Sequence, residues 1–432
     1  MRILQVGKKD FEKQFEIVIS RGREDLEAVE RLVDNILQNV KAKGDEVVLE
    51  YTRRFDDMDL SPSQLRVSRE EIEEAYERIP KKDLEALKLA SERIASFHRR
   101  QLVNSWFEST ADGIVLGQIV TPLKRIGAYI PGGENPYPST VLMTLIPAKI
   151  AGVSELIVVS PIYGGRGSAH VLAAARLAGA TSIFRVGGAQ GVGALAYGTE
   201  SIPKVDKIVG PGNVYVATAK KMVFGEVGID MVAGPSEICI FSDGCTAPSI
   251  VAADLLSQGE HDEKALLVLI VLSEAYASAV NSEVERQLKK LRNKEVVERS
   301  LSNHGAIVIA RSLDEAFDLI NEVAPEHLEL VVQTPWDLLG RVRNAGAIFL
   351  GPFTPETVGD YLAGTNHVLP TGGTSRFSSP LGVEDFLKKS NIISFSKEAL
   401  IEFREHVLRM AAMEGFDAHA RAVEMRFLEK KR

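Results

Sequence analysis

From about residue 112 onward the chain alternates short apolar runs with segments of small, helix-forming residues, and this alternation restricts the fold more than any other feature. "ELIVVSP" (155–161) reads as a strand ending in a Pro/Gly loop, "SAHVLAAARLAGA" (168–180) as a helix stopped at Gly179, and "SIFRVGG" (182–188) as the next strand. The pattern recurs through "DKIVG", "NVYVATAKKMVF" and "SEICIFSD". A second series follows with "ALLVLIVLS", "GAIVIA", "LELVVQ" and "GAIFLG". Strands apolar on both faces need cover on both faces, and intervening helices supply it, so each series implies a parallel sheet. The expectation is an α/β chain with two such domains in series.

The first hundred residues read differently. Leu26, Val29, Val33, Ile36, Leu37 and Val40 keep helical spacing up to a stop at Gly44. "SREE" (68–71) is a capping-box pattern opening a helix that ends near Pro80, and a charged helix is expected from about Lys81 to Arg100. The last fifty residues, from about Pro380, read as helical and charged.

The totals remove several function classes. The chain has 432 residues, long enough to bury a large core without disulfides or metals. A formal net charge of -8 leaves no nucleic-acid footprint. Two cysteines, Cys239 and Cys245, make neither a disulfide framework nor a CxxC pair, which fits a reducing cytosol. "MRILQVGKKDFEK" lacks an apolar signal core, and the longest apolar run, Ala265 to Leu272, is far below the ~20 residues of a membrane span. A cytoplasmic protein with no membrane or nucleic-acid partner is expected.

In open parallel sheets ligands bind beyond the carboxyl ends of the strands, so the strand-to-helix loops are the places to search. "YIPGGEN", "SPIYGGRGS", "VGGAQGVGALAYG", "VGPGNVYV" and "MVAGPSE" are glycine-rich and allow a backbone to approach a large ligand closely. "GVGALA" (191–196) matches G-x-G-x-x-A, yet it does not directly follow its strand, which makes it a weak dinucleotide signature. In "DLLSQGEHDE", Gln258 and His261 are three apart and share a helix face; a plain polar helix end reads equally well. "NEVAPEHLELVV" sets Glu326 and His327 side by side in an apolar frame, either as proton-transfer groups or as a salt-bridged strand terminus. "ETVGDYLAGTNHVLPTGG" offers Asp360 and His367, and "AAMEGFDAHARA" offers Glu414 and His419. Of eight histidines, four lie in these stretches. A Gln/His/Asp/His set suits a borderline metal such as zinc, although spacing alone does not establish that segments so far apart converge. Cys239 reads as core and Cys245 as a loop residue; a thiol nucleophile has no histidine near it in sequence.

At these residues the chain resembles the histidinol dehydrogenases. "IDMVAGPSE" (229–237) followed by "AADLLSQGEH" (252–261) carries the likeness most specifically, and "GAYIPGG", "VGGAQ", "GPGN", "APEHLEL" and "GDYLAGTNHVLPT" keep the family's order. The resemblance implies two Rossmann-like doubly wound α/β domains in series with small helical N- and C-terminal appendages. Residues 1–25 would be the N-terminal appendage and 381–432 the C-terminal one. Residues 26–125 with 237–380 would form the metal and substrate domain, and 126–236 the NAD domain. It further implies oxidation of L-histidinol to L-histidine through the aldehyde, with two NAD per turnover and one zinc per subunit of a homodimer. Gln258, His261 and Asp360 would hold zinc together with His419 of the other chain, and the substrate's imidazole and amine nitrogens would complete the shell. Ser236, Gln258, His261, His327, Asp360, Glu414 and His419 would contact substrate, with His367 bordering it, and Tyr129, Gln190 and Asn213 would contact NAD. Glu326 and His327 would be the catalytic residues. On that reading His327 deprotonates the alcohol and Glu326 activates the water that attacks the aldehyde. A zinc metallohydrolase using the same ligands, with Glu326 as general base, is the alternative.

Overall fold

All six residues of the strand Leu266–Val271 are buried, a pattern that only the interior of a two-faced parallel sheet permits. In the computed structural model, which describes residues 1–21, 26–132, 136–162 and 165–428, that strand lies inside a six-stranded parallel sheet. Across the sheet the order is Arg2–Gln5, Gly305–Ile309, Leu266–Val271, Glu237–Ser242, His327–Val331, Ala347–Leu350. Numbered from Glu237 onward, the last five strands stand 3-2-1-4-5, so strand order reverses between Glu237–Ser242 and His327–Val331. The two-residue alternation of a strand divides the side chains. Cys239, Phe241, Val268 and Ile270 enter one apolar core, and Ile238, Ile240, Leu267 and Leu269 enter the other.

A second parallel sheet runs Ser182–Phe184, Glu155–Val159, Arg125–Tyr129, Lys207–Val209, Gly228–Ile229, the same 3-2-1-4-5 order. Two doubly wound sheets of Rossmann-like order thus stand in one unit, Met1–Leu102 with Leu123–Phe386.

The first hundred residues serve these sheets more than sequence patterning suggests. Arg2–Gln5 adds a parallel edge strand to the first sheet by pairing with Gly305–Ile309, and Phe11, Phe15 and Val18 of the helix Phe11–Ile19 fill one of its cores. Four residues opening with arginine and ending with glutamine leave no strand signature to read. The helices Glu27–Lys43 and Asp45–Asp56 bury Val33, Ile36, Leu37, Val40, Val47 and Val48 with Ile157, Val159 and Phe184 of the second sheet, rather than with the first sheet. Ser68 and Glu71 form the expected reciprocal capping box.

Val103–Pro122 and Leu387–Arg432 make a separate unit. Its antiparallel sheet runs Leu387–Phe395, Ile114–Pro122, Trp106–Ser109, followed by the helices Lys397–Met413 and Asp417–Glu424. The expectation of a wholly helical tail is corrected here. Nine residues, "LKKSNIISF", pair in register with Ile114–Pro122, and cross-strand pairing overrides the Lys/Ser/Asn content. No helix among the described residues is long and apolar enough to cross a membrane.

One lock holds the loop after Lys207–Val209. The buried Lys220 ammonium pairs with Asp230 at 2.5 Å and donates to the Gly210 carbonyl at 2.7 Å, while the Gly210 N–H donates to the other Asp230 oxygen at 2.7 Å. Gly210 sits at φ +105, and a Cβ there would overlap the Tyr129 carbonyl oxygen. Removing one partner of a buried pair strands the other charge. Lys220→Met is expected to lower the urea-unfolding free energy by about 3–5 kcal/mol. The neighbouring Lys221→Met, which breaks only the exposed pair with Glu30, is expected to cost under about 1 kcal/mol.

Candidate active site

The helix Leu313–Val323 ends at Ala324, a non-glycine residue in the left-handed region (φ 46), and Pro325 then forbids further helix. Such strain in a β-carbon-bearing residue persists only where the surroundings enforce it, and it often accompanies functional sites. The strand His327–Val331 starts two residues later, so Glu326 and His327 fall at its amino end, both buried. Both lean on the backbone of Glu237. Its N–H donates to Glu326 Oε2 at 2.9 Å, and its carbonyl accepts from His327 Nδ1 at 2.9 Å. A carbonyl can only accept, so the His327 proton is on Nδ1 and the Nε2 lone pair is free to take a proton.

Burial pushes the Glu326 carboxyl well above its usual range, and the charges of Glu237, Asp360 and Glu356 push the same way against the one N–H bond. Burial also lowers the His327 imidazole, against the pull of Asp360. The two groups approach to 3.6 Å but both favour their neutral forms, so a salt-bridged strand terminus is the poorer description.

Asp360, on the short helix Glu356–Tyr361, lies 3.9 Å from His261 Nε2 through one oxygen and 3.9 Å from His367 Nδ1 through the other. His367 is fixed at both ring nitrogens: Nδ1 donates to the Asp360 carbonyl at 3.0 Å and Nε2 lies 3.2 Å from Thr140 Oγ1. Burial lowers its basicity. Gln258 occupies the last turn of the helix Pro248–Gly259, and His261 follows in the turn beyond it. The Gln258 side chain is buried, yet neither its oxygen nor its nitrogen has a hydrogen-bond partner among the described residues. An orphaned amide costs free energy unless something else engages it. Ser236 is half-buried directly ahead of Glu237.

In the first sheet the candidate residues stand at the amino ends of the strands rather than the carboxyl ends. Glu326, His327 and Glu237 stand at amino ends, and the helix Pro248–Gly259, running back from Ser242 to Leu266, delivers Gln258 and His261 to the same rim. The second sheet follows the rule. Tyr129 ends its strand and accepts from Gly188 N–H at 3.1 Å. Gln190, in the helix after Ser182–Phe184, lies 3.5 Å from Asp56, and Asn213 caps the helix Val214–Val223 by accepting from Tyr215 and Val216 N–H. "GVGALA" is buried inside the helix Gly188–Tyr197, where Gly193 packs against Leu37 and Val40; its glycines serve helix packing. Of the glycine-rich loops, residues 133–135 and 163–164 lie outside the described residues.

Three acids escaped sequence reading: Asp254, Glu329 and Glu356. The Glu356 N–H donates to Glu329 at 2.7 Å and its carboxyl accepts from Ser257 at 2.9 Å. Burial, then Asp360, raises Glu356 to about 7; burial raises Asp254 to about 6, and burial with Asp254 raises Glu329 well above the usual range. A glutamate centred in the apolar run "HLELVV" was the available signal. Glu414 and His419 belong to the other unit, where both are exposed and His419 stacks on Phe416 at 5.0 Å between centroids. The thiols are inert: burial drives Cys239 far up, and burial with Asp243 raises Cys245 to about 11.

Two Rossmann-like sheets, with a buried acid–imidazole pair on the rim of one and glycine-rich loops on the other, suit an α/β enzyme acting on a small molecule. The family profile described as histidinol dehydrogenase matches residues 19–427. Histidinol dehydrogenase of Geobacter sulfurreducens is 52% identical over 427 residues, covering 99% of this chain and 100% of that one. That of Bacillus anthracis is 48% identical over 431 residues, covering 99% and 100%. The crystal structure of histidinol dehydrogenase from Elizabethkingia anophelis superposes with a TM-score of 0.92 at 33% identity, covering 99% of this chain and 98% of that one. The chain belongs to the histidinol dehydrogenase family, and the metallohydrolase alternative is not favoured.

The raised Glu356 carboxyl couples stability to pH. Folding favours its protonated form, so its contribution is complete below the ordinary value of 4.5 and is lost as pH rises through about 7. In chelator-treated protein, Glu356→Gln is expected to gain stability relative to the parent between pH 5 and pH 8, read as the change in urea-unfolding free energy. A difference that stays flat over that range contradicts this assignment.

Proposed function

We propose that the protein oxidises L-histidinol to L-histidine by two successive hydride transfers to NAD and needs one zinc per site. One observation carries this reading: a buried glutamate and a buried imidazole are held by the backbone N–H and carbonyl of one residue, Glu237, with the imidazole lone pair free. His327 Nε2 takes the hydroxyl proton as the first hydride leaves. Glu326 takes a proton from the water that attacks the aldehyde, and His327 takes the hydrate's hydroxyl proton in the second oxidation. A raised Glu326 must first lose its own proton, so the aldehyde step gains rate as pH rises.

The donor set fits zinc. Gln258 brings an unpartnered buried amide, and His261 and Asp360 bring an imidazole and a carboxylate 3.9 Å apart. Among the described residues no three His, Cys, Asp or Glu side chains gather by themselves, so a four-ligand shell needs both the Gln258 oxygen and a further donor. His419 of the partner subunit is that donor in a homodimer. The second unit favours a partner copy: Ile393 and Met413 are each 71% exposed, and all of Trp106–Ser109 is exposed. Bound zinc would supply a template that orients the substrate, and bound NAD would supply the hydride acceptor. Ser236, His367 and Glu414 orient the substrate. Tyr129, Gln190 and Asn213, at the carboxyl rim of the second sheet within 126–236, hold NAD, while residues within 237–380 hold substrate and metal.

Histidinol is expected to yield two NADH per molecule, and a strong chelator to abolish turnover. Glu326→Gln is expected to slow aldehyde oxidation by about 10²–10⁴-fold, and alcohol oxidation much less. One NADH per histidinol with free aldehyde released would refute the four-electron reaction. The shared site has its own test. A mixture of His261→Asn and His419→Asn chains is expected to regain activity after subunit exchange, since each heterodimer holds one intact site.

A further inference from the structure

Glu237 hydrogen-bonds the reactive pair through its backbone, and its side chain is bonded elsewhere. Arg21, 216 residues earlier, grips that carboxylate at two points, Nε at 2.5 Å and Nη2 at 3.0 Å, and Gly372 N–H adds a third bond at 2.7 Å. The same guanidinium donates from Nη2 to the Val323 carbonyl at 2.7 Å and from Nη1 to Ile19 at 2.7 Å. Val323 closes the helix that leads into Glu326. Arg21 therefore bonds to both segments that meet at the pair: the strand start that supplies the N–H and carbonyl, and the helix end from which Glu326 and His327 emerge. The planar, two-point fork of arginine suits this bracing; a lysine cannot reproduce it. The brace is costly in itself, since Arg21 adopts φ 57 and Glu237 is almost wholly buried. A buried ion pair is weak evidence for stability, so its placement calls for another purpose.

We propose that Arg21 is a positioning residue for both oxidation steps, clamping Glu237 to the Val323 helix end and so fixing the angle at which Glu326 and His327 face the substrate. This rests on the reading of that pair as the reaction's bases. Arg21 holds the side chain of the residue whose backbone bonds both reactive groups, and the helix end three residues before Glu326; a displacement of about 1 Å passed on to the reacting atoms costs on the order of 10²-fold in rate.

The test uses zinc-loaded, full-length protein with histidinol and NAD. Failure of the unmodified protein to reduce NAD overturns the functional reading and is seen before any variant is made. With that activity present, Arg21→Ala is expected to lose about 10²-fold in kcat with both KM values near those of the parent. Millimolar guanidinium is expected to restore part of the loss. Spectra of protein labelled with ¹⁵N in the histidine rings are expected to lose the fixed Nδ1–H form of His327 in the variant and recover it with guanidinium. Unchanged kcat, a rise in KM alone, or a kcat loss that guanidinium leaves untouched with an unaltered His327 signal each overturns the proposal. Where Arg21→Ala does not fold, Arg21→Lys decides: an intermediate kcat with normal KM supports the clamp, and a parental kcat overturns it.

Discussion

The parallel pairing of Glu237–Ser242 with His327–Val331 is the constraint on which the active site depends. His327 stands opposite Ile238, which leaves the N–H and carbonyl of Glu237, one step before that pairing begins, free to donate to one reactive group and accept from the other. A slip of one residue would turn every side chain of the strand to the opposite face, sending His327 into the apolar cores. Those cores guard against slippage: Cys239, Phe241, Leu328 and Leu330 share one of them, and Ile238, Ile240 and Val331 share the other. The packing that stabilises the sheet is thus the same packing that aims the imidazole.

The two sheets carry their candidate residues on opposite rims. Nucleotide-type loops gather at the carboxyl ends of the second sheet, where backbone N–H groups and helix starts favour phosphates. The proton-transfer groups gather at the amino ends of the first. Thr140, at the start of the helix after Arg125–Tyr129, reaches His367, and Asn366 donates to the Met143 carbonyl of the same helix at 2.8 Å. One helix of the second sheet therefore touches the loop that carries Asp360 and His367, which ties the two sheets together at the candidate site.

How much of this was readable from the chain follows from what each interaction needs. Strands such as "ALLVLIVL" announce themselves because burial on both faces requires unbroken apolar runs. Glu326 and His327 were visible because two titratable groups in an apolar frame are chemically conspicuous. The edge strand Arg2–Gln5 and the nine-residue strand Leu387–Phe395 were not, since their pairing depends on partners about 300 and 270 residues away. Arg21 was invisible for the same reason, because no local pattern says that an arginine near the start will grip a glutamate in the middle. The amino-rim location was hidden by a general rule about parallel sheets, from which this fold departs.

The far rim of the first sheet, where Ser242, Val271 and Ile309 come to an end, carries none of the reactive groups. Loops there are released from the demands of chemistry. Insertions in the loops that follow those strands would lie at the opposite edge of the sheet from Glu326 and His327, leaving the pairing that aims the imidazole unchanged.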